Sequence, residues 1–174
     1  QKFYRINGGS TQLKGVSSDV VIPDVLEKSK LREKDDPDAL AWDEIQKSPY
    51  NTWKAPYDIN AVSKNSQQRV DANPAFNLIK TNTEWLEEQN DKSYSLNLEK
   101  YRENKKKISS TVKQFETLNK LSREIDVEDV PGAEERFGSD KDKLERYKNW
   151  KKSLKNDIYL DEALNAVNDM VYQK

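Results

Sequence analysis

The side chains that could perform chemistry in this chain are serine, lysine and the carboxylates, because its 174 residues contain neither cysteine nor histidine. Disulfides, thiol or histidine metal sites, and catalysis through Cys–His or Ser–His–Asp are therefore excluded for this chain. A desolvated lysine can act as the base for a serine nucleophile. Ser10 with Lys14 is the pair that this chemistry would use here.

Two further segments resemble ligand-binding loops without meeting their requirements. Gly8-Gly9-Ser10-Thr11 lacks the Gly-Lys-Ser/Thr spacing of a phosphate-binding loop, and no helical pattern follows it. Asp35, Asp36 and Asp38 resemble the start of a calcium loop, but the glycine and the terminal glutamate of that loop are out of register. We therefore predict a turn at residues 8–11, and neither a cofactor nor a metal site.

Lys105, Lys106 and Lys107, together with Lys100 and Arg102, form a basic patch on the predicted long helix. Residues 99–124 hold eight basic and four acidic side chains, whereas residues 126–145 hold eight acidic and three basic ones. The simplest interpretation is a pair of solvated helix faces. The functional interpretation is that the two segments attract each other or an adaptor protein, with the three lysines as the possible partner contact. Nucleic acid is disfavoured, because the net charge is −1 and no stacking aromatic residues are interleaved with the lysines.

The elements that position these residues are predicted to be mainly helical, with a short strand segment first. Phe3, Tyr4 and Ile6 favour a strand, and the glycines after them suit a tight turn. Val20–Ile22 is a further short apolar run, which Pro23 ends. The fold class is thus mainly α (α+β), a helical bundle-like domain preceded by a short N-terminal β-hairpin. We expect three regions, at residues 1–22, 23–57 and 58–174.

The second region is predicted to be a linker rich in proline and aromatic residues. Its prolines leave room for only short helical pieces, such as Ala39–Gln46. It also carries four aromatic rings, at Trp42, Tyr50, Trp53 and Tyr57. The simplest interpretation is that these rings pin an irregular segment to the helical body, and the alternative is an aromatic surface for a partner.

Helix boundaries in the third region are indicated by capping residues. A first helix begins near Asp58 and ends before Asn73, which caps a second helix with Pro74 at its first position. Asn97 caps a long helix that runs to about Ser122. Ser139 or Asp140 caps another, and Asp157 begins the last, where acids near the N-terminus are favoured by the helix dipole, as with Asp161 and Glu162.

Apolar side chains recur at helical spacing in these helices, and in the long helix their spacing predicts one buried face. In the second helix these are Phe76, Ile79 and Leu86. In the long helix the predicted core stripe is Ile108, Val112, Phe115 and Leu118. In the last helix the predicted stripe is Leu160, Leu164, Val167 and Val171.

The first 23 residues resemble the closing strands of the carboxy-terminal processing, or tail-specific, serine peptidases. That family has an aromatic strand, then Gly-x-Ser-x-Gln, matched here by Gly8 to Gln12. Lys-Gly-x-x-Pro-Asp follows in the family, matched by Lys14 to Asp19 with Ser18 in place of proline. An apolar strand then follows, at Val20–Ile22.

Later segments resemble landmarks that follow the peptidase core in the large periplasmic members of that family. The matching segments begin at Ala39, Asn73, Tyr94 and Tyr159. The resemblance implies that the nucleophilic serine, its lysine and a PDZ domain lie on segments before residue 1. It also implies that Gln12 belongs to a strand motif, that Ser10 with Lys14 is not the dyad, and that this chain holds no catalytic residue.

The function implied by the resemblance is that of an accessory region. The chain would be the non-catalytic C-terminal part of a periplasmic serine endopeptidase that processes or degrades proteins from their C-termini. Its partners would be the upstream peptidase and PDZ domains, protein substrates and an adaptor. The alternative is a free-standing helical protein–protein interaction module. We expect no membrane insertion, since no apolar run approaches the roughly 20 residues of a membrane helix, and Gln1 as first residue suggests a processed product or fragment.

Overall fold

The computed structural model describes residues 1–90, 93–116, 121, 123–137 and 140–172. This part of the chain is mainly helical, as predicted, and its strand pairing is limited to two isolated bridges. The α-helices are α1 (Ile59–Ala72), α2 (Pro74–Asn90), α3 (Leu98–Glu116), α4 (Lys141–Leu154) and α5 (Ile158–Tyr172), with 3-10 turns at Glu33–Asp35 and Glu134–Phe137.

The helices begin where the capping residues predicted. The side-chain oxygen of Asp58 accepts from the Asn60 amide at 2.9 Å, and that of Asn73 accepts from Ala75 at the same distance. The caps Asn97, Asp140 and Asp157 each accept from amides in the first turn of their own helix. Each cap satisfies amides that have no partner inside the helix. Ser139 lies outside the described residues, as does the predicted end of the long helix at Ser122.

The hydrophobic core lies between α1, α2 and α5. Its fully buried side chains are Val62, Val70, Phe76, Ile79 and Ile158. The rings of Phe76 and Tyr159 meet edge to face at 5.6 Å between centroids, which suits aromatic quadrupoles. The core is thus built where the first, second and last helices meet, with Leu121 packed against it from the segment after α3.

The described apolar side chains of the long helix α3 are less buried than the sequence pattern predicted. Ile108 is half-buried, but Val112 keeps 46% of its surface exposed. The side chain of Phe115 and all of Leu118 lie outside the described residues. Asn82 of α2 donates to Gln114 of α3 at 3.1 Å, so polar contacts help to join these two helices.

The N-terminal residues form a turn that a later segment covers. Tyr4 pairs with Ser10, and Gly9 pairs with Glu44, so three short extended segments lie side by side. Gly8 has φ +89°, and a Cβ there would lie 2.2 Å from the carbonyl oxygen of Ile45. Only glycine fits such an approach. The predicted turn is confirmed, whereas Val20–Ile22 forms no strand.

Residues 23–57 lack regular structure apart from the 3-10 turn Glu33–Asp35. The predicted helix at Ala39–Gln46 is wrong, because Glu44 and its neighbours are extended and bonded to the N-terminal turn. Trp42 donates to the carbonyl of Ser10 at 3.0 Å rather than packing on the helices. Trp53 is 72% exposed, so it does not pin this region to the helical body either.

Ile22 and Lys28 are among the described residues that tie the first 57 residues to the helices. Ile22 packs against the core cluster of Val70, Phe76, Ile79 and Ile158. Lys28 forms an ion pair with Glu87 of α2 at 3.3 Å, across partly exposed side chains. An exposed pair of this kind contributes roughly 0–1 kcal/mol, so Ile22 is the stronger attachment.

Candidate interaction surface

Ser10 and Lys14 are not arranged as a catalytic dyad. The Ser10 hydroxyl is buried and accepts a hydrogen bond from the Asp43 amide at 3.2 Å. The Lys14 ammonium lies 3.4 Å from the centroid of the Trp42 ring, a cation–π contact. Within the described part of the chain, the two side chains share no hydrogen bond. Both residues hold the N-terminal turn against the segment that contains Trp42 and Asp43.

The aspartates that resembled a calcium loop bind neighbouring residues in the chain. Asp35 binds the Arg32 guanidinium at 3.2 Å, and Asp36 accepts from the Asp38 amide at 2.9 Å. Among the residues that the structure describes, no three acidic side chains come together as a metal site would require.

The exposed side of α3 carries a row of cations. Arg102, Lys105, Lys106 and Lys113 recur at helical spacing and are all exposed. They line, with Ser109 and Ser110, a shallow groove of about 420 Å³, which we call the basic groove. In the described residues none of these four cations forms an ion pair with a carboxylate, so their charges face solvent.

The structure separates the three lysines that the sequence grouped together. Lys105 and Lys106 line the basic groove, whereas Lys107 turns towards α2, where its ammonium lies 5.6 Å from the centroid of the Trp85 ring. A helix advances about 100° per residue, which places adjacent residues on different faces. Arg102, one turn away and part of the predicted patch, also lines the groove, as does Lys113, two turns away, which the prediction did not include.

An exposed apolar row runs beside the basic groove. Leu98, Tyr101 and Val112 keep 59%, 44% and 46% of their surfaces exposed. On the other edge of the groove stand two exposed acids, Glu99 and Glu103. The solvent side of α3 is therefore a band of cations between an apolar edge and an acidic edge.

The acidic segment that follows α3 pairs with α4 rather than with the basic groove. Asp129 accepts from the Tyr147 hydroxyl at 2.6 Å and from the Lys151 ammonium. The hydrogen bond from Lys151, followed by that from Tyr147, lowers the pKa of Asp129. Asp129 therefore uses its carboxylate on α4 and not on the basic groove.

A second polar site, missed by the sequence patterns, joins α1 to α5. Arg69 donates to both carboxylate oxygens of Glu162, at 2.9–3.1 Å, and to Asp169 at 2.9 Å. The Glu162 side chain is only 5% exposed, and its hydrogen bonds with Arg69 raise the pKa of the guanidinium. The first-turn position of Glu162 suggested a helix-dipole role, but its main partner is an arginine 93 residues away.

The described helices offer no candidate for a membrane span, since none is both long enough and apolar enough.

The arrangement consists of a small α1–α2–α5 core, a covered N-terminal turn and an α3 face that can bind acidic groups. Lysine and arginine on an exposed helix attract carboxylates weakly one at a time, and act together in steering association.

Comparison with known proteins identifies the family of this chain. Residues 26–172 match the family described as the C-terminal domain of tail specific protease. The match covers most of the chain, which therefore belongs to that family.

The sequence of the chain is also similar to that of a named bacterial protein. The chain is similar to the tail-specific protease of Haemophilus influenzae, with 29% identity over 141 residues. The matched region is 75% of this chain but only 20% of the relative, so the chain spans about a fifth of that protease. No solved structure matches the chain.

Proposed function

We propose that this chain is the non-catalytic C-terminal region of a periplasmic serine endopeptidase that cleaves proteins after recognising their C-termini. In this proposal, residues 1–22 complete the peptidase core, residues 23–57 connect it to the helices, and residues 58–174 form a helical domain. Support comes from the family match at 26–172 and, separately, from the peptidase-like motif at residues 2–23, which precedes the matched range.

The exposed N-terminal side chains are consistent with a missing neighbour. Phe3, Ile6 and Val21 keep 63%, 56% and 69% of their surfaces exposed. Apolar residues in extended segments are normally covered by an adjacent strand or sheet. The remainder of the peptidase core is the cover that we propose.

The observation that carries the docking role is the basic groove. Four exposed cations without a carboxylate partner in the described residues, beside an apolar row, suit a protein partner that presents acidic and apolar side chains together. Charge complementarity of this kind raises the rate of association. We infer that the groove at Lys105 and Lys106 receives a substrate or an adaptor, with Lys107 supporting it through Trp85.

A protein partner fits the groove better than a uniformly anionic surface does. Glu99 and Glu103 stand beside the cations and would repel a continuous sheet or strand of negative charge. A folded partner can place carboxylates over Lys105 and Lys106 and keep neutral groups near the two glutamates. This local pattern favours specific protein contact.

A truncation of the intact protease tests the proposal. A parent that ends after Pro23 keeps the proposed catalytic segments and loses the helices. If its core folds, it is expected to cleave short peptides while its cleavage of folded or adaptor-delivered proteins changes markedly. Unchanged rates for every class of substrate would contradict the docking role.

The isolated chain provides the complementary test, since we propose that it has no nucleophile of its own. Incubated with an unfolded protein that ends in nonpolar residues, the purified chain is expected to leave the protein intact. Cleavage that survives repurification and is lost on Ser10→Ala would overturn the non-catalytic assignment.

A further inference from the structure

The last helix turns its most apolar side towards solvent. Leu164, Val167 and Val171 are 44%, 52% and 55% exposed, and Leu160 is half-buried. These four residues, which we call the α5 stripe, are the apolar residues that recur at helical spacing in the sequence of the last helix. The buried residues of α5 are instead Ile158, Glu162 and Ala166.

The ion pairs of α5 hold the helix in this orientation. Glu162 and Asp169 bind Arg69 of α1 from the side of α5 that lies roughly opposite Leu164 and Val167. Rotating α5 to bury the stripe would withdraw both carboxylates from Arg69 and expose Ile158. The outward position of the α5 stripe is therefore fixed by the fold.

The shape and chemistry of the stripe suit another helix. Its residues are spaced 4, 3 and 4 apart, the spacing of a two-heptad seam. The flanking residues Ala163, Asn168 and Met170 are uncharged, so charge does not oppose close approach along most of the helix. Two acids, Asp157 and Asp161, mark the N-terminal end, where a neutral or basic side chain of the partner fits best.

The size of the stripe argues against a second copy as its occupant. Four aliphatic side chains cover roughly 100 Å² each, so a symmetric α5–α5 contact would bury about 800 Å² in total. Stable interfaces between separate proteins bury about 1,200–2,000 Å². A segment of the same polypeptide needs far less area, because the linkage gives it a high effective concentration.

We propose that the α5 stripe is covered by an amphipathic helix from the part of the protease that lies outside this chain. This inference rests on the proposed function, in which the chain belongs to a longer polypeptide, as the matched relative does. The covering helix carries aliphatic side chains at heptad spacing and packs along Leu160 to Val171. It thereby fixes the helical domain relative to the rest of the enzyme.

Cysteine labelling of the intact protease tests this inference. Val167→Cys probes the stripe, and Asn168→Cys is a matched control, since both positions are exposed on α5 and the 174 residues contain no other cysteine. Labelling of the unmodified protease gives the background. In the native protease, we expect maleimide to react with Val167→Cys at least tenfold more slowly than with Asn168→Cys. In urea, we expect the two variants to react at the same rate.

The other outcomes overturn the inference. Equal rates at both positions in the native protease would mean that the stripe is open to solvent or to a foreign partner. Protection of Val167→Cys that appears only as protein concentration rises would mean that a second copy covers it. Peptide cleavage by the same preparation tests the proposed function separately. If the protease cleaves peptide and maleimide reacts equally fast with the two cysteine variants, this inference alone is overturned.

Discussion

Arg69 of α1 and Glu162 of α5, which lie 93 residues apart in the chain, form a two-point ion pair. The Nε and terminal nitrogen of the guanidinium both reach the carboxylate, at 2.9–3.1 Å. The remaining terminal nitrogen reaches Asp169, so one arginine binds two carboxylates that lie about two turns apart on α5. This geometry closes the helical domain, because it attaches the last helix to the first.

Removal of the arginine is expected to destabilise the domain strongly. Arg69→Ala leaves Glu162 charged, buried and unpaired, which we expect to cost about 3 kcal/mol, at the low end for buried pairs because the Arg69 side chain is one-third exposed. Urea titration of the chain measures the loss. Gln68→Ala, on an exposed neighbour, is the control and should cost less than about 0.5 kcal/mol.

A double variant separates the penalty of an orphaned charge from the value of the pair. Arg69→Leu with Glu162→Leu removes both charges, and we expect it to recover much of the stability that Arg69→Ala loses. A loss below about 1 kcal/mol for Arg69→Ala would show that the ion pair does not hold α5 in place.

Alanine substitutions of two apolar residues on neighbouring helices are expected to cost different amounts of stability, because only one of the two residues lies in the core. Phe76→Ala removes a ring that is 1% exposed and should cost about 3–5 kcal/mol. Val112→Ala removes methyl groups from a 46% exposed side chain and should cost less than about 1 kcal/mol. Similar losses in denaturant titrations would mean that α3 belongs to the core after all.

The pKa of Asp129 predicts a contribution to acid stability. Its pairing with Lys151 and Tyr147 lowers the pKa in the folded chain below the ordinary value of 3.8. The stabilisation is therefore present above about pH 4 and is lost as the pH falls through the lower, folded value. Asp129→Asn should flatten the fall in unfolding free energy below pH 4 and leave its slope above pH 6 unchanged.

The control for that experiment is Asp126→Asn, which removes a nearby exposed carboxylate that makes no ion pair in the described part of the chain. This variant should show a fall in unfolding free energy below pH 4 close to that of the unmodified chain. An equal flattening by both variants would point to net charge rather than to the contact with Lys151.

Helix starts were predictable from the sequence, but helix faces were not. Asp58, Asn73 and Asn97 cap their helices because the bonds that define a cap join residues two or three apart. The direction in which Val167 points depends instead on a contact between Glu162 and Arg69, which no local pattern reveals. Periodicity located an apolar stripe on α5, but it did not reveal whether the stripe faces the core or the solvent.

The presence of a cationic region was predictable from the sequence, but the set of residues that lines the groove was not. Three consecutive lysines indicated a cationic region, and the helix then divided them, with Lys107 directed to Trp85 and the other two to the groove. Lys113 belongs to the groove through helical spacing, which a helix-face count from Lys106 would have found. That Asp129 binds Lys151 instead of the groove depends on how α4 packs.

Charge reversal in the intact protease tests the central claim, that the helical domain tunes proteolysis by docking a protein partner. Lys105→Glu with Lys106→Glu reverses the groove, and Lys54→Glu with Lys64→Glu makes the same charge change at two other exposed lysines. Cleavage rates are measured for a short peptide and for an adaptor-delivered protein at low and high salt. We expect the groove variant to lose about tenfold in protein cleavage at low salt, less at high salt, and nothing with the peptide. Equal effects of the two variants, or unchanged protein cleavage by the groove variant, would contradict the account.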